Sequence, residues 1–181
     1  MLERSSFSKL KRIGNHALLT DRLLGKGHYG KVYLGYDVKK TQELHACKVI
    51  DRCDKKFNAH AEHLVQNEIE NLSLVRSPHI ISLKQHYKTK QHYYIFTELC
   101  NGGDLGLLKK SRPGGRLSED ECRVVMKKLV SGLRDLCEFD IVHRDLKLAN
   151  ILLHFPLEEG LEGENGSKLE TLLAEALVAS D

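Results

Sequence analysis

Three closely spaced glycines between two apolar stretches constrain the fold of this chain more than any other feature. Residues 17–24 are mostly apolar, and Gly25, Gly27 and Gly30 follow them. After Gly30, apolar residues recur at every second position over residues 31–36, which is the period of a β-strand. A dinucleotide-binding fold uses the same glycine spacing but opens a helix at that point. The pattern therefore predicts two strands joined by a glycine turn, either a flexible hairpin or one whose backbone approaches a ligand. It disfavours a dinucleotide-dependent oxidoreductase.

A lysine and a glutamate are predicted to pair in the next part of the chain. Residues 44–50 indicate a third strand, and Lys48 lies inside it, where its ammonium must reach solvent or meet an anion. Residues 58–76 carry apolar side chains at steps of three and four, which predicts a helix with one apolar stripe. Glu68 lies on that stripe, whereas Glu70 projects about 160° further round and should face water. We expect a Lys48–Glu68 ion pair, because an unpaired inward carboxylate is unfavourable; the alternative is a solvated Glu68.

Composition and charge exclude several classes of protein. The 181 residues are 41% hydrophobic and 29% charged, which is typical of a soluble globular protein. The net charge of +3 is too small to predict binding of nucleic acid. No stretch approaches the ~20 apolar residues of a membrane span. The five cysteines are an odd number without a C-x-x-C pair, which argues against a disulfide framework or zinc ribbon and predicts a cytoplasmic protein.

A polar loop that carries a base, a cation and an amide lies between two apolar runs in the last third of the chain. His143-Arg144-Asp145 is followed by Lys147 and Asn150, and this pattern resembles the catalytic loop of eukaryotic protein kinases. The position of Lys147 resembles the serine/threonine branch of that family. The resemblance implies that Asp145 accepts or orients the hydroxyl proton, that Lys147 offsets charge on the transferred group, and that Asn150 ligates magnesium. The alternative for the isolated loop is a solvated surface turn.

The resemblance extends to the nucleotide site of kinases. The glycine turn matches their glycine-rich loop, Lys48 matches the lysine that contacts the first two phosphates of ATP, and Glu68 matches the residue that orients this lysine. Residues 98–100 match the hinge that binds adenine, with Thr97 as gatekeeper. The implied ATP-binding residues are Leu24, Gly25, Lys26, Gly27, His28, Tyr29, Gly30, Lys31, Val32, Ala46, Lys48, Glu68, Glu98 and Cys100. The implied cofactors are ATP and magnesium, and the implied substrate is a protein with Ser or Thr hydroxyls.

Two further helices are predicted after the hinge. Residues 101–105 resemble the post-hinge segment of the autophagy-initiating kinases, and residues 105–110 are expected to form a short helix that ends at a Pro-Gly-Gly sequence. Ser118 and Glu121 form a capping box, and residues 122–136 carry an apolar stripe at helical spacing. We expect this stripe to pack in the core of the large lobe.

The resemblance ends after Leu153. Residues 154–181 contain neither an Asp-Phe-Gly triplet, whose aspartate holds the main magnesium ion in kinases, nor an Ala-Pro-Glu triplet. Residues 157–166 are acidic and contain glycine, which predicts a spacer, and the spacing after Ser167 predicts a short amphipathic helix. This tail either folds onto the large lobe or derives from a mispredicted exon, and the second alternative is favoured.

These features together predict an α+β, protein-kinase-like fold. An antiparallel-sheet small lobe with one regulatory helix precedes the first helices and the catalytic loop of a large lobe. The expected divisions are a lead-in (1–16), the small lobe with the hinge start (17–99), a partial large lobe (100–153), and an acidic spacer with a short helix (154–181). The implied function is that of a serine/threonine kinase fragment, weak or inactive alone. The alternative is a non-catalytic, pseudokinase-like module that binds nucleotide or a partner, and a partner protein is expected over the exposed large-lobe surface.

Overall fold

The structure is a computed structural model that describes residues 10–27 and 30–155. The chain divides into two compact units between Leu99 and Cys100. The predicted α+β class is confirmed, because the first unit contains an antiparallel sheet with a helix and the second contains helices and a loop. The predicted spacer and the helix after Ser167 lie outside the described residues. Within the described ranges, no helix is long and apolar enough to cross a bilayer.

The sheet of unit 1 has six antiparallel strands in the order β1-β2-β3-β4-β6-β5. The strands are β1 (Leu10–Ile13), β2 (His16–Lys26), β3 (Gly30–Asp37), β4 (Lys40–Asp51), β5 (Leu83–Lys88) and β6 (His92–Glu98). Residues 10–13 belong to the predicted lead-in, yet they form the edge strand β1 and pair with β2. Gly14, with φ of 59°, allows the tight reversal between these two strands.

Helix α1 (Ala59–Leu74) covers one face of the sheet and matches the predicted helix. Asn58 caps it, since its Oδ1 accepts a hydrogen bond from the Ala61 amide at 3.0 Å. The core beneath α1 consists of Ile50, Val65, Ile69, Tyr93 and Ile95. Burial of each such side chain contributes about 1.5–3 kcal/mol. Glu70 is exposed, as its helical position predicts.

The opposite face of the sheet has a separate core with two buried histidines beside it. This core consists of Leu18, Cys47, Tyr94 and Phe96. His16 and His45 are 6% and 2% exposed, and their ring centroids lie 5.3 Å apart. The Nδ1 atom of His16 lies 3.2 Å from the hydroxyl of Tyr87. Both imidazoles are thus enclosed in the packing of this face.

Unit 2 begins with the two predicted helices. These are α2 (Leu105–Ser111) and α3 (Glu119–Cys137), separated by a 3-10 turn at Pro113–Gly115. The predicted capping box of α3 is present: the Ser118 amide donates to Glu121 Oε2 at 2.8 Å, and the Glu121 amide donates to Ser118 Oγ at 3.2 Å. Arg112 Nε lies 2.7 Å from the other oxygen of Glu121, which ties the start of α3 to the end of α2.

The apolar stripe of α3 is only partly buried, which differs from the prediction that it packs as core. Leu136 is buried near the end of the helix, but Met126 and Val130 are 53% and 57% exposed. An amphipathic pattern shows which side of a helix is apolar, and other elements must supply its cover. In the part of the chain that the structure describes, those side chains remain at the surface.

A short antiparallel contact joins the beginning of unit 2 to the segment after its polar loop. The Gly102 amide donates to the Leu153 carbonyl, and the Leu153 amide donates to the Gly103 carbonyl, both at 2.9 Å. The side chain of Asn101 makes two further bonds with the backbone of Phe155. Gly102 is required here, because a β-carbon would overlap the Phe155 ring and lie 2.8 Å from the Leu153 Cβ. We name residues 101–105 and 151–155 the clasp.

Candidate active site

A cross-strand row connects the glycine turn to Lys48. Gly25 lies opposite Val32, Val32 lies opposite Lys48, and Lys48 lies opposite Ile95 in the next strand. Directly opposed residues place their side chains on the same face of a sheet. Because Ile95 belongs to the core beneath α1, the Lys48 side chain leaves the sheet on the α1 face. The register of three strand pairs therefore sets where this cation lies.

The predicted Lys48–Glu68 ion pair is present. The Nζ atom of Lys48 lies 2.7 Å from both carboxylate oxygens of Glu68. The side chains are 29% and 39% exposed, so the pair remains accessible to solvent. Val65 and Ile69, buried on either side of Glu68 along α1, hold this carboxylate towards the sheet. An ammonium group has three N–H donors, so such a pair can also hold an anion such as a phosphate.

The glycine turn is fixed at one end and open at the other. Its closing bond runs from the Gly27 amide to the Gly30 carbonyl at 2.8 Å. A β-carbon on Gly30 would overlap the Val49 carbonyl oxygen, whereas a β-carbon on Gly25 would meet no atom within 4 Å. A β-carbon on Gly27 would lie 3.8 Å from the Gly30 carbonyl oxygen. Among the described residues, no side chain therefore crowds the backbone at Gly25 and Gly27, as close approach by a phosphate group requires. His28 and Tyr29 lie outside the described residues.

The other predicted nucleotide-binding residues lie on the same strands or follow them. The strands flanking the turn carry Leu24, Gly25 and Lys26 on β2 and Lys31 and Val32 on β3. Ala46 lies opposite Thr97 between β4 and β6. Glu98 ends β6, and its Oε1 accepts a bond from the Ser82 amide at 2.7 Å. Cys100 is half-buried and is the first residue of unit 2. The hinge prediction assigns adenine binding to the backbone groups of Glu98 and Cys100.

Asp145 is the centre of a hydrogen-bond network in unit 2. Lys147 Nζ donates to its two carboxylate oxygens at 3.0 and 2.8 Å. Asn150 Nδ2 donates to Asp145 Oδ2 at 2.9 Å and to the Asp145 backbone carbonyl at 2.8 Å. These bonds, first that of Lys147 and then that of Asn150, hold the pKa of the Asp145 carboxyl below its usual value. The three predicted catalytic residues thus lie together, with an ionised carboxylate at neutral pH.

Every residue from 142 to 150 is exposed. Hydrogen bonds within the polar loop, rather than packing, therefore hold its shape. The Asp145 amide donates to the His143 carbonyl at 2.8 Å, and Leu148–Asn150 form a 3-10 turn. Arg144 has φ of 60°, in the left-handed region that costs a non-glycine residue about 1 kcal/mol. Strained backbone of this kind clusters at active sites and ligand-binding loops.

The chemistry of the loop fits a magnesium ion. Because the Asn150 side-chain nitrogen is turned to Asp145, its amide oxygen is the atom left to ligate a cation. Magnesium prefers oxygen ligands and is commonly held by one or two protein groups together with phosphates and water. Among the described residues, no group of three His, Cys, Asp or Glu side chains forms a metal site by itself. The loop therefore suits a magnesium ion that arrives with a phosphate ligand.

One polar cluster in unit 1 was not predicted from the sequence. Glu62 on α1 meets Arg52, Lys88 and Tyr93, which come from three other parts of the sheet. The only sequence signal is an acid in the first turn of a helix, which is common at helix N-termini. The donors are separated from Glu62 by up to 31 residues, so local patterns do not indicate them.

Known proteins resemble this chain over most of its length. A family model described as protein kinase domain matches residues 18–159. The human hormonally up-regulated neu tumor-associated kinase is 37% identical over 147 residues, which are 81% of this chain and 20% of that protein. Mouse serine/threonine-protein kinase 33 is 37% identical over 132 residues, 73% of this chain and 26% of that protein. Rat serine/threonine-protein kinase ULK3 is 40% identical over 136 residues, 75% of this chain and 28% of that protein. The chain thus spans less than a third of each of these relatives.

Proposed function

Since the chain belongs to the eukaryotic serine/threonine protein kinase family, we propose that it carries the nucleotide-binding and hydroxyl-orienting parts of an enzyme that moves the γ-phosphoryl group of Mg-ATP to protein Ser and Thr hydroxyls. The Lys48–Glu68 pair is the observation that carries this proposal. A cation held by both oxygens of a carboxylate, in register with a bare glycine turn, is suited to a polyphosphate.

Unit 1 supplies the nucleotide-binding residues in this proposal. Lys48 donates to the first two phosphates while Glu68 holds it in place, and the backbone at Gly25, Gly27 and Gly30 covers the phosphates. Leu24, Val32 and Ala46 offer apolar contact to the base, and the backbone of Glu98 and Cys100 offers hydrogen bonds to adenine. Binding energy of this kind positions the reacting phosphate, which supplies much of the catalysis in phosphoryl transfer.

Unit 2 supplies the groups that handle the hydroxyl. The Asp145 carboxylate accepts a hydrogen bond from the Ser or Thr hydroxyl and orients it. Since its pKa is lowered, Asp145 is a weak base, and it takes the proton late, as the bond to phosphorus forms. Lys147 turns an N–H donor to the transferred group. Asn150 would hold magnesium by its amide oxygen, and the ion supplies neutralisation of phosphate charge when bound.

We propose that this polypeptide alone transfers phosphate weakly or not at all. Residues 154–181 contain no Asp-Phe-Gly aspartate to hold the main magnesium ion, and each lost element of charge stabilisation lowers the rate by about 10²–10³-fold. We place the protein in the cytoplasm, because its five cysteines are an odd number without a C-x-x-C pair.

The first experiment separates nucleotide binding from transfer. Binding of ATP is measured with and without magnesium by calorimetry, and transfer is measured with radiolabelled ATP and a basic protein substrate. We expect Mg-ATP binding that Lys48→Met removes and that Lys39→Met, in an exposed turn of the same unit, preserves. Binding of NADH in place of ATP would contradict the proposal. Transfer that Asp145→Ala abolishes would show that the polypeptide is active alone.

A non-catalytic partner-binding module is the second candidate. The exposure of Met126 and Val130 on α3 favours it, because apolar side chains grouped on one helix face commonly mark an interaction surface. This function requires a stable protein without nucleotide affinity. Analytical ultracentrifugation shows whether the protein is stable and monodisperse, and the ATP titration shows whether it binds nucleotide. A monodisperse protein without ATP affinity would favour this second candidate.

A further inference from the structure

A single carboxylate oxygen of Glu62 gathers three donors. The hydroxyl of Tyr93 donates to Glu62 Oε1 at 2.8 Å, and Lys88 Nζ and Arg52 Nη2 lie 3.0 and 3.2 Å from the same oxygen. Both cations also lie over the Tyr93 ring, 5.5 Å from its centroid for Arg52 Cζ and 5.3 Å for Lys88 Nζ. The carboxylate therefore meets a compact group of two charges and one hydroxyl.

Two of the three donors have further contacts with the sheet of unit 1 and its turns. Tyr93 is 2% exposed within the core beneath α1. Arg52, four residues after Lys48, also donates to the carbonyls of Thr89 and Lys90 at 2.7 and 3.2 Å, which fixes it to the turn between β5 and β6. Glu62 is thus joined to groups at the ends of β4, β5 and β6. Its bonds to Lys88 and Tyr93, in that order, lower its pKa, so it is ionised at neutral pH.

The spacing of Glu62 and Glu68 determines what the cluster does to α1. Six residues of an α-helix correspond to about 9 Å along the axis and about 120° around it. Apolar packing against a sheet is not directional, so it leaves a helix some freedom to turn and slide. Two polar contacts at different heights and on different sides of the helix remove both freedoms. The Glu62 cluster is the first contact and the Lys48–Glu68 pair is the second.

We propose that Glu62 is a positioning residue that holds α1 in the orientation in which Glu68 reaches Lys48. This inference rests on the proposed role of the Lys48–Glu68 pair in nucleotide binding. It predicts that Glu62 affects nucleotide binding only through Glu68.

A double-mutant cycle tests this dependence. Glu62→Gln keeps an oxygen that accepts the Tyr93 hydroxyl bond but removes the charge that holds Arg52 and Lys88. We expect Glu62→Gln to weaken Mg-ATP binding by on the order of three- to tenfold in the natural background and by less than about twofold when Glu68→Gln is already present. Glu70→Gln, an exposed position on the same helix, is the matched control and should leave affinity unchanged.

A second readout does not require nucleotide. The side-chain ammonium signal of Lys48 in heteronuclear NMR reports its pairing with Glu68, and we expect Glu62→Gln to weaken or broaden it while Glu70→Gln does not. Equal losses of affinity in both backgrounds would show a general structural role and overturn the inference, as would an unchanged Lys48 signal. If the natural chain binds no Mg-ATP, the proposed function fails, and the Lys48 signal alone decides the role of Glu62.

Discussion

Gly30 packs directly against the carbonyl group of Val49, so the end of the glycine turn is fixed to the central strand β4. Two strand positions further along β3, Val32 lies opposite Lys48. The contact at Gly30 therefore helps to fix the strand register in which Gly25 and Lys48 both lie opposite Val32. The two glycines differ in their surroundings: a β-carbon on Gly30 would overlap the Val49 carbonyl oxygen, whereas one on Gly25 would meet no described atom within 4 Å.

Replacement of these glycines should separate stability from binding. Gly30→Ala is expected to lower the free energy of unfolding by about 1–3 kcal/mol, because the new methyl group overlaps the Val49 carbonyl. Gly25→Ala should change it by less than about 0.5 kcal/mol but weaken Mg-ATP binding. Urea unfolding and the ATP titration measure the two effects. Equal stability of the two variants would contradict this explanation of Gly30.

Lys48 should matter for nucleotide binding far more than for folding. Its pair with Glu68 is partly exposed on both sides, and ion pairs of that kind contribute about 0–1 kcal/mol. Lys48→Met should therefore unfold within about 1 kcal/mol of the natural chain while losing ATP affinity. Urea unfolding beside the ATP titration checks this. A large loss of stability would mean that the pair is structural.

The carboxyl of Asp145 should titrate at higher pH when Lys147 is replaced. The bond from Lys147 is the largest cause of its lowered pKa, so Lys147→Met is expected to raise the pKa towards the ordinary value of 3.8. Carbon-detected NMR of the carboxyl group over pH 2–6 follows the titration. Lys127→Met, an exposed position on α3, should leave it unchanged. A pKa that is indifferent to Lys147 would contradict the observed network.

The stability of unit 1 should fall below about pH 6.5 because of His16. Burial, and next the neighbouring His45, lower the pKa of His16 from its ordinary value of 6.5, while Asp37 and Glu43 act in the opposite direction. Below pH 6.5 the imidazole of His16 is protonated in the unfolded chain but stays neutral in the folded protein, where it is bonded to Tyr87. The free energy of unfolding therefore decreases as the pH falls from 6.5, until His16 is protonated in the folded protein as well.

Thermal unfolding between pH 5 and pH 8 tests the contribution of His16. His16→Gln should make the melting temperature less dependent on pH in this range, whereas replacement of the exposed His79 by Gln should not. An unaltered pH profile for His16→Gln would assign the dependence to other groups.

Cys47 should be protected from thiol reagents in the folded protein. It is fully buried, and burial raises its pKa to about 12, so it has neither access nor thiolate at pH 8. Cys53, which is exposed, should react quickly under the same conditions. Mass spectrometry after brief alkylation identifies the modified residues. Fast labelling of Cys47 without denaturant would show that the core opens readily.

The sequence predicts the parts of the molecule that follow local rules or a known motif. The family and fold class are confirmed, and the Ser118–Glu121 capping box and the Lys48–Glu68 pair are both present in the structure. The capping box is local, and the pair follows from the need of an inward carboxylate for a cation. The roles of Asp145, Lys147 and Asn150 in catalysis stay predictions.

The features that the sequence does not predict depend on distant contacts. Residues 10–13 do not alternate in polarity, so only their pairing with β2 identifies β1. The Glu62 cluster requires three strand ends to meet, and helix periodicity contains no information about them. The exposure of Met126 and Val130 likewise depends on what lies over α3, whereas the amphipathic pattern is the same with or without a cover.

The clasp has a consequence for the order in which the chain folds during synthesis. Asn101 and Phe155 are 54 residues apart and close it with two side-chain bonds. Proteins leave the ribosome from the N-terminus, and domains generally fold as units once their residues have emerged. The sheet and α1 are complete when Leu99 emerges, whereas residues 101–105 must wait for their partners. Unit 1 can thus form early, whereas the contacts of the clasp on both sides of the polar loop form only when Phe155 has been made.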